Sequence, residues 1–191
     1  MDSITRQHFD NLQSKDAELR YQSFQFIIKQ TNEPVDYAYE VWDDLLALTK
    51  KGDNHQRTIA VQVLSNLAKS DPKQKMIGDL DKLMLVTKDE KFVTARHSLL
   101  CLWKIGIVSE ALKTKLLNAL SKRYKECITE KNCSLIRYDI MVVSRKIFDI
   151  TNDKNLMEKS MSLIETEQDE KYRKKYLGVW KDLVKLKKPL K

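Results

Sequence analysis

Apolar residues recur along this chain with the spacing of α-helices. From Asp53 to Lys69 (DNHQRTIAVQVLSNLAK) they return every three or four residues, which places them on one face of a helix. Comparable stripes follow one another along the chain, and helix-breaking residues separate them. The separating residues are Pro34, Gly52, Asp71-Pro72 and Asn152-Asp153. This pattern, together with only 4 Gly and 3 Pro, predicts an all-α protein.

The stripes belong to a repeat that begins with an acidic residue and has arginine four positions later. Clear copies start at Asp16, Asp53 and Asp169, and looser copies end in Arg96 and Arg137. The five arginines are separated by 37, 39, 41 and 36 residues, a period typical of a unit of two helices and their turns. The arginines of the repeat are Arg20, Arg57, Arg96, Arg137 and Arg173.

Alignment of the copies on their arginines shows that equivalent positions share a character. The fourth, sixth and seventh residues after the arginine are apolar in every copy, with the single exception of Ser144. At 100° per residue these positions form one broad helix face, so we expect them to be buried, including Trp103 and Trp180. Helices with their own apolar stripes lie between the copies. The repeat predicts one domain of five helix pairs, with approximate boundaries 1–32, 33–70, 71–108, 109–151 and 152–191.

The segment from Asp53 to Lys69 resembles the second helix of a HEAT repeat, and the segment from Asp16 to Ile28 is similar to it. This resemblance to HEAT/armadillo-like proteins implies a right-handed α-solenoid of about five antiparallel helix pairs. The second helix of each pair would line a concave face. The resemblance specifies an architecture and not an activity. DNA alkylation-repair glycosylases of the AlkD type share this architecture and are basic, so a DNA glycosylase is an alternative.

The repeated acidic residue and arginine have a structural interpretation. An aspartate in the first turn can accept hydrogen bonds from free backbone N–H groups, and it interacts favourably with the helix N-terminus. The arginine can then bridge to the aspartate of an adjacent repeat, as in the ladders of HEAT-like families. The predicted ladder residues are Asp16, Arg20, Asp53, Arg57, Arg96, Arg137, Asp169 and Arg173.

The net charge of +8 is unevenly distributed along the chain. Residues 1–51 carry six Lys/Arg and nine Asp/Glu, residues 52–108 carry nine and six, and residues 109–191 carry twenty and twelve. In three successive copies the eighth residue after the arginine is a cation, which predicts a basic column on the concave face. A column of cations beside aromatic residues suits phosphates or acidic side chains, although a solvated surface would have the same composition. The predicted binding residues are Lys104, Arg145, Lys181, Tyr138, His97 and Lys174.

Catalytic motifs are missing from the sequence. No phosphate-binding loop, dinucleotide fingerprint, zinc-protease motif or nucleophile elbow is present. His97 and Cys101 share a helix face four residues apart, but no third orienting group accompanies them. The three cysteines have no metal-ligand or disulfide spacing, so no metal and no cofactor are expected. No catalytic residue is predicted.

These observations predict a non-catalytic scaffold that binds an acidic segment of another protein through the concave basic face. The alternative is a nucleic-acid-binding protein, including an AlkD-like glycosylase. No stretch approaches the roughly 18 apolar residues of a membrane span, and no signal peptide precedes the first helix. We therefore expect a cytoplasmic protein without membrane contact.

Overall fold

The computed structural model describes residues 1–185, with side chains as far as Leu183, and this part of the chain contains helices and no β-strand. The prediction of an all-α protein is confirmed. The α-helices are α1 (Ser3–Asn11), α2 (Ala17–Gln30), α3 (Ala38–Lys51), α4 (Asn54–Leu67), α5 (Lys75–Val86), α6 (Phe92–Cys101), α7 (Trp103–Gly106), α8 (Glu110–Glu126), α9 (Cys133–Thr151), α10 (Lys154–Glu165), α11 (Glu170–Gly178) and α12 (Lys181–Lys185). Short 3-10 helices span Ala68–Ser70 and Cys127–Thr129.

The three clear repeat aspartates begin helices. Asp16 accepts hydrogen bonds from the first-turn amides of α2, and Asp169 does the same for α11. Asp53 forms a capping box on α4, in which its carboxylate accepts from the amide of Gln56 and the Gln56 side chain accepts from the amide of Asp53. These contacts satisfy backbone donors that have no partner within the helix. They explain why these three helices start after their acidic residue, whereas α6 and α9 begin after Lys91 and Asn132 without a side-chain cap.

The chain divides into two compact units, Met1–Leu116 and Leu117–Lys191. In the first unit α1 packs on α2, α3 on α4 and α5 on α6, while α4 also contacts α2 and α6, and α3 contacts α5. Because α4 has neighbours on several sides, nearly all of its second half is buried. Trp42 on α3 is fully buried and donates from Nε1 to Asp79 Oδ2 on α5 at 2.9 Å.

In the second unit α9 packs against α10 and α11, and α10 also contacts α11. Tyr176 of α11 is fully buried and donates its hydroxyl to the carbonyl of Ser134 at 2.9 Å. Trp180 is also fully buried, with its ring edge-on to Phe148. The expectation that Trp180 belongs to the core is confirmed, whereas Trp103 is only half-buried.

The aligned positions show where the repeat pattern holds. Val61, Val63 and Leu64 are fully buried on α4, as predicted. Ser65 is the eighth residue after Arg57 and Cys101 is the fifth after Arg96, positions that the repeat predicts to lie on the concave face, but both residues are buried, so the prediction is wrong for both. The reason is the close packing of α4 on α6, which brings Ser65 Oγ to 3.4 Å from Cys101 Sγ.

Within residues 1–185, no helix has the length and apolar character that a membrane crossing requires.

Candidate functional site

Arg57 occupies the centre of a contact that joins three helices. Its Nε and Nη2 atoms donate to the two carboxylate oxygens of Asp89, at 2.5 and 3.0 Å, just before α6. Its Nη1 donates to the carbonyl of Gly52 at the end of α3, at 2.8 Å. The planar guanidinium thus ties the start of its own helix, α4, to its neighbours on both sides.

Two other repeat arginines make equivalent contacts. Arg137 donates to Glu167 Oε2 at 2.8 Å and to the carbonyl of Tyr124 at 3.1 Å. Arg20 donates to the carbonyl of Ser14 at 2.9 Å, and its Nη1 lies 3.7 Å from Asp53 Oδ2. In each case a backbone carbonyl precedes the arginine and a carboxylate follows about thirty residues later. Arg96 and Arg173 are half-buried on α6 and α11.

In these ion pairs the arginine keeps its carboxylate partner ionised. Burial raises the pKa of Asp89, but the hydrogen bonds from Arg57 and from the amide of Lys91 outweigh it and hold the pKa below its ordinary value. For Glu167, burial is likewise outweighed by the hydrogen bond from Arg137, and its pKa is lowered. Both carboxylates stay ionised at neutral pH. Their geometry suits a structural role, because each is already paired with a guanidinium.

Of the predicted binding residues in the first unit, His97 is exposed and Lys104 is half-buried. Lys104 Nζ donates to the side-chain oxygen of Asn66 on α4. The Asn66 amide nitrogen in turn donates to Thr31 Oγ1 at 3.0 Å and to the carbonyl of Ile28 at 3.3 Å. Lys104 therefore belongs to a polar network that links the ends of α2, α4 and α7.

In the second unit Arg145 is held between two acidic residues. Its guanidinium contacts Asp149 at 2.6 Å and both oxygens of Asp182 at 2.7 Å. The hydrogen bonds from Arg145 lower the pKa of Asp182 to about 2. An acidic ligand at Arg145 must displace two carboxylates of the same chain, so this guanidinium is a weak anion site.

The other predicted residues of the second unit have different surroundings. Lys174 is exposed and pairs with Glu170 at 2.8 Å. Tyr138 is half-buried, and Lys175 Nζ lies 4.8 Å from the centre of its ring. Lys181 is exposed at the start of α12.

The structure contains a groove between α3 and α5 that was not predicted from the sequence. This groove, of about 630 Å³, has the Arg57–Asp89 ion pair among its lining residues. Leu85 is 69% exposed, like several other large apolar side chains of the described residues, but it lies in the same groove as other apolar residues. We call the surface the α3–α5 groove. Its apolar lining consists of Leu46, Ala47, Leu85 and Val86, and its basic lining of Lys50, Lys51 and Lys82.

Only part of the basic rim of the α3–α5 groove is neutralised by its surroundings, and the exposed carboxylate of Asp43, which pairs with Lys75, also lines the groove. Lys82 pairs with Asp79 at 2.7 Å. Lys50 and Lys51, in the last turn of α3, are exposed and have no carboxylate partner among the side chains that the structure describes. Leu85 was the available signal, because it lies off the buried stripe of α5 and yet is apolar.

A second groove of about 640 Å³ lies in the second unit between residues of α8, α9 and α10. Its surface carries many hydroxyl and amide groups, and it contains both Lys159 and Glu158. This mixed lining gives no clear charge preference for a ligand.

Cys101 and His8 show no sign of a nucleophilic site. Burial raises the pKa of the Cys101 thiol to about 11, so it is protonated at neutral pH. Its sulfur is hydrogen-bonded to the carbonyl of Ser98. His8 stacks on Phe26 and contacts Ser23 Oγ at 3.1 Å, which is a packing role. Within residues 1–185 no group of three or more His, Cys, Asp or Glu is arranged to hold a metal ion.

Comparison of the sequence with known proteins finds no matching family model and no significantly similar curated protein.

Proposed function

We propose that this protein is a non-catalytic scaffold of HEAT-like helix pairs and that its α3–α5 groove binds an acidic, partly apolar segment of a partner protein. The observation that carries this proposal is the exposed Leu85 beside the unpaired cations Lys50 and Lys51. Apolar surface supplies most of the free energy of association, while charges select the partner and increase the association rate.

The HEAT-like architecture is supported by the arginine contacts. Arg20, Arg57 and Arg137 stand at equivalent repeat positions, and each reaches one preceding carbonyl and one following carboxylate. In the first unit, α4 contacts both α2 and α6, as neighbouring second helices of such repeats would. Repeat proteins of this kind commonly act as binding surfaces.

The groove sets limits on the ligand. Covering Leu85 and its apolar neighbours would contribute roughly 1–2 kcal/mol per large side chain. Each exposed Lys–carboxylate pair would add about 0.2–1 kcal/mol. A short segment with one or two apolar anchors flanked by Asp or Glu would therefore bind weakly, with a dissociation constant of about 10 μM to 1 mM.

Selection from a displayed random peptide library tests the proposal with a defined probe. We expect the enriched peptides to combine large apolar residues with Asp or Glu. Leu85→Ser should weaken binding of the selected peptides about tenfold, because about 1.4 kcal/mol corresponds to that factor. Val93→Ser is the matched control, since Val93 is an exposed apolar side chain on α6 that is not among the residues lining the groove.

Charge reversal gives an independent test of the same groove. Lys50→Glu with Lys51→Glu should abolish binding of the acidic peptides. The control is Lys15→Glu with Lys29→Glu, which changes the net charge equally at two exposed lysines of the first unit. Equal loss of binding in both double variants would show that only diffuse charge matters, and enrichment of basic peptides would contradict the proposal.

Nucleic-acid binding is the second candidate, because residues 109–191 carry a net charge of +8. Binding of this kind should weaken steeply as salt increases and should be insensitive to Leu85→Ser. A single-stranded and a duplex oligonucleotide of random sequence are suitable probes. The fully buried Trp180 argues against a role in base stacking.

A further inference from the structure

Two of the three cysteines lie at opposite ends of one tight turn in the second unit. Cys127 begins the 3-10 helix Cys127–Thr129, and Cys133 is the first residue of α9. Their sulfur atoms are 2.6 Å apart. Cys127 is buried and Cys133 is half-buried, so the two thiols differ in their access to solvent.

The turn that holds the two thiols is stabilised by other contacts. The amide of Glu130 donates to the carbonyl of Cys127 at 2.8 Å, and the amide of Cys133 donates to the carbonyl of Glu130 at 3.0 Å. The Glu130 carboxylate accepts from both terminal nitrogens of the buried Arg123 of α8, with Nη2 at 2.7 Å from Oε2. The backbone is therefore fixed on both sides of the thiols by groups other than sulfur.

Ionisable groups of the adjoining helices surround the thiols. Arg123 and Tyr124 contribute from α8, and Arg137 contributes from α9 with its guanidinium 4.7 Å from the centre of the Tyr124 ring. Burial raises the pKa of the Cys127 thiol despite the two arginines, and the hydrogen bond with Cys133 acts in the same direction. Cys127 is consequently protonated at neutral pH and is the less reactive partner.

We propose that Cys127 and Cys133 are a modification site at which a peroxide converts two thiols into one intramolecular disulfide. The half-buried Cys133 sulfur attacks a peroxide oxygen, the O–O bond breaks, and a sulfenic acid forms, while the leaving hydroxide or alkoxide takes the Cys133 thiol proton as water or an alcohol. The Cys127 sulfur then attacks the sulfenic sulfur and the S–S bond forms. The departing hydroxyl takes the Cys127 proton as water, so two thiols are oxidised and one peroxide is reduced.

The chain sequence provides a direct assay for this disulfide. Trypsin cleaves after Lys125, Lys131 and Arg137, which separates the cysteines into the peptides 126–131 and 132–137. The full-length protein, first reduced and then treated with stoichiometric hydrogen peroxide, should lose about 2 Da. A digest without reductant should then contain the two peptides joined, and dithiothreitol should separate them.

Three variants distinguish the proposed pair from adventitious oxidation. Cys127→Ser should leave a sulfenic acid on Cys133 that dimedone traps, whereas Cys133→Ser should give several-fold less trapped product. Cys101→Ser should form the joined peptides as the wild type does, because Cys101 belongs to the first unit and is buried. A joined product that contains Cys101, only intermolecular products, or over-oxidation of Cys133 without a joined product would overturn the proposal.

Discussion

At the scale of single residues, Arg57 shows how one side chain satisfies several groups at once. It neutralises Asp89, whose side chain is only 5% exposed, and it donates a hydrogen bond to the carbonyl of Gly52. Removing one partner of such a pair leaves the other desolvated and uncompensated, which is more costly than the loss of an exposed ion pair. The stability of the first unit should therefore depend on Arg57 more than on any exposed lysine.

We expect Arg57→Ala to lower the free energy of unfolding by roughly 1–3 kcal/mol. Arg57→Lys should recover only part of this loss, because a lysine cannot make the bidentate contact to Asp89. Urea denaturation followed by circular dichroism measures both changes. Lys29→Ala is the control and should cost under about 0.5 kcal/mol. If Arg57→Ala and Lys29→Ala had the same effect, the structural role of Arg57 would be refuted.

The same ion pair predicts a dependence on pH. The pKa of Asp89 lies below its ordinary value of 3.8 in the folded protein. A carboxylate of this kind stabilises the protein above the unfolded pKa, and that stabilisation is lost as pH falls through the folded pKa. The difference in unfolding free energy between wild type and Arg57→Ala should thus be constant near neutral pH and shrink in acid. A difference that stays unchanged down to about pH 2 would contradict this.

At the scale of helices, the contribution of a capping aspartate to stability can be measured separately from that of the repeat arginine. Asp169 accepts hydrogen bonds from the amides of Lys171 and Tyr172 at 2.8 and 3.3 Å. We expect Asp169→Ala to reduce stability by about 1 kcal/mol and Asp169→Asn to reduce it much less. Thermal denaturation monitored at 222 nm compares them. Glu170→Ala should change the stability by less than about 0.5 kcal/mol, because the ion pair between Glu170 and Lys174 is exposed.

Helix starts could be predicted from sequence because capping is local. Asp16, Asp53 and Asp169 each act on amides two or three residues away, so the residue types and their spacing contain the information. The burial of Ser65 and Cys101 depends on how closely α4 approaches α6, which no spacing within one helix encodes. The pairing of Arg145 with Asp182 likewise joins residues 37 positions apart.

The residue types of the candidate site could be predicted from the sequence, but the position of the site in the fold could not. An apolar residue at Leu85 and two adjacent cations at Lys50 and Lys51 are visible in the sequence, but only the packing of α3 on α5 places them in one groove. The Cys127 and Cys133 thiols were missed for a similar reason. They lie six positions apart across a turn, and this spacing matches no recognised motif.

At the scale of the whole molecule, the turn between Cys127 and Cys133 should influence stability when it is closed covalently. A disulfide across this short loop removes about 2 kcal/mol of chain entropy from the unfolded state. We expect the oxidised protein to unfold at a higher temperature than the reduced protein. Differential scanning calorimetry provides the measurement, and peroxide-treated Cys127→Ser is the control that should show no increase. A lower unfolding temperature after intramolecular oxidation would mean that the bond strains the turn.

The hydrogen bonds between helices have one further consequence, which concerns how the chain reaches its fold. Arg57 and Asp89 are 32 residues apart, Trp42 and Asp79 are 37 apart, and Ser134 and Tyr176 are 42 apart. Each of these contacts closes a loop of 32 to 42 residues, so it forms without the distant ends of the chain having to meet. During synthesis, each of these helices meets its partner once about forty more residues have emerged from the ribosome, so the first helices can assemble before the last are made.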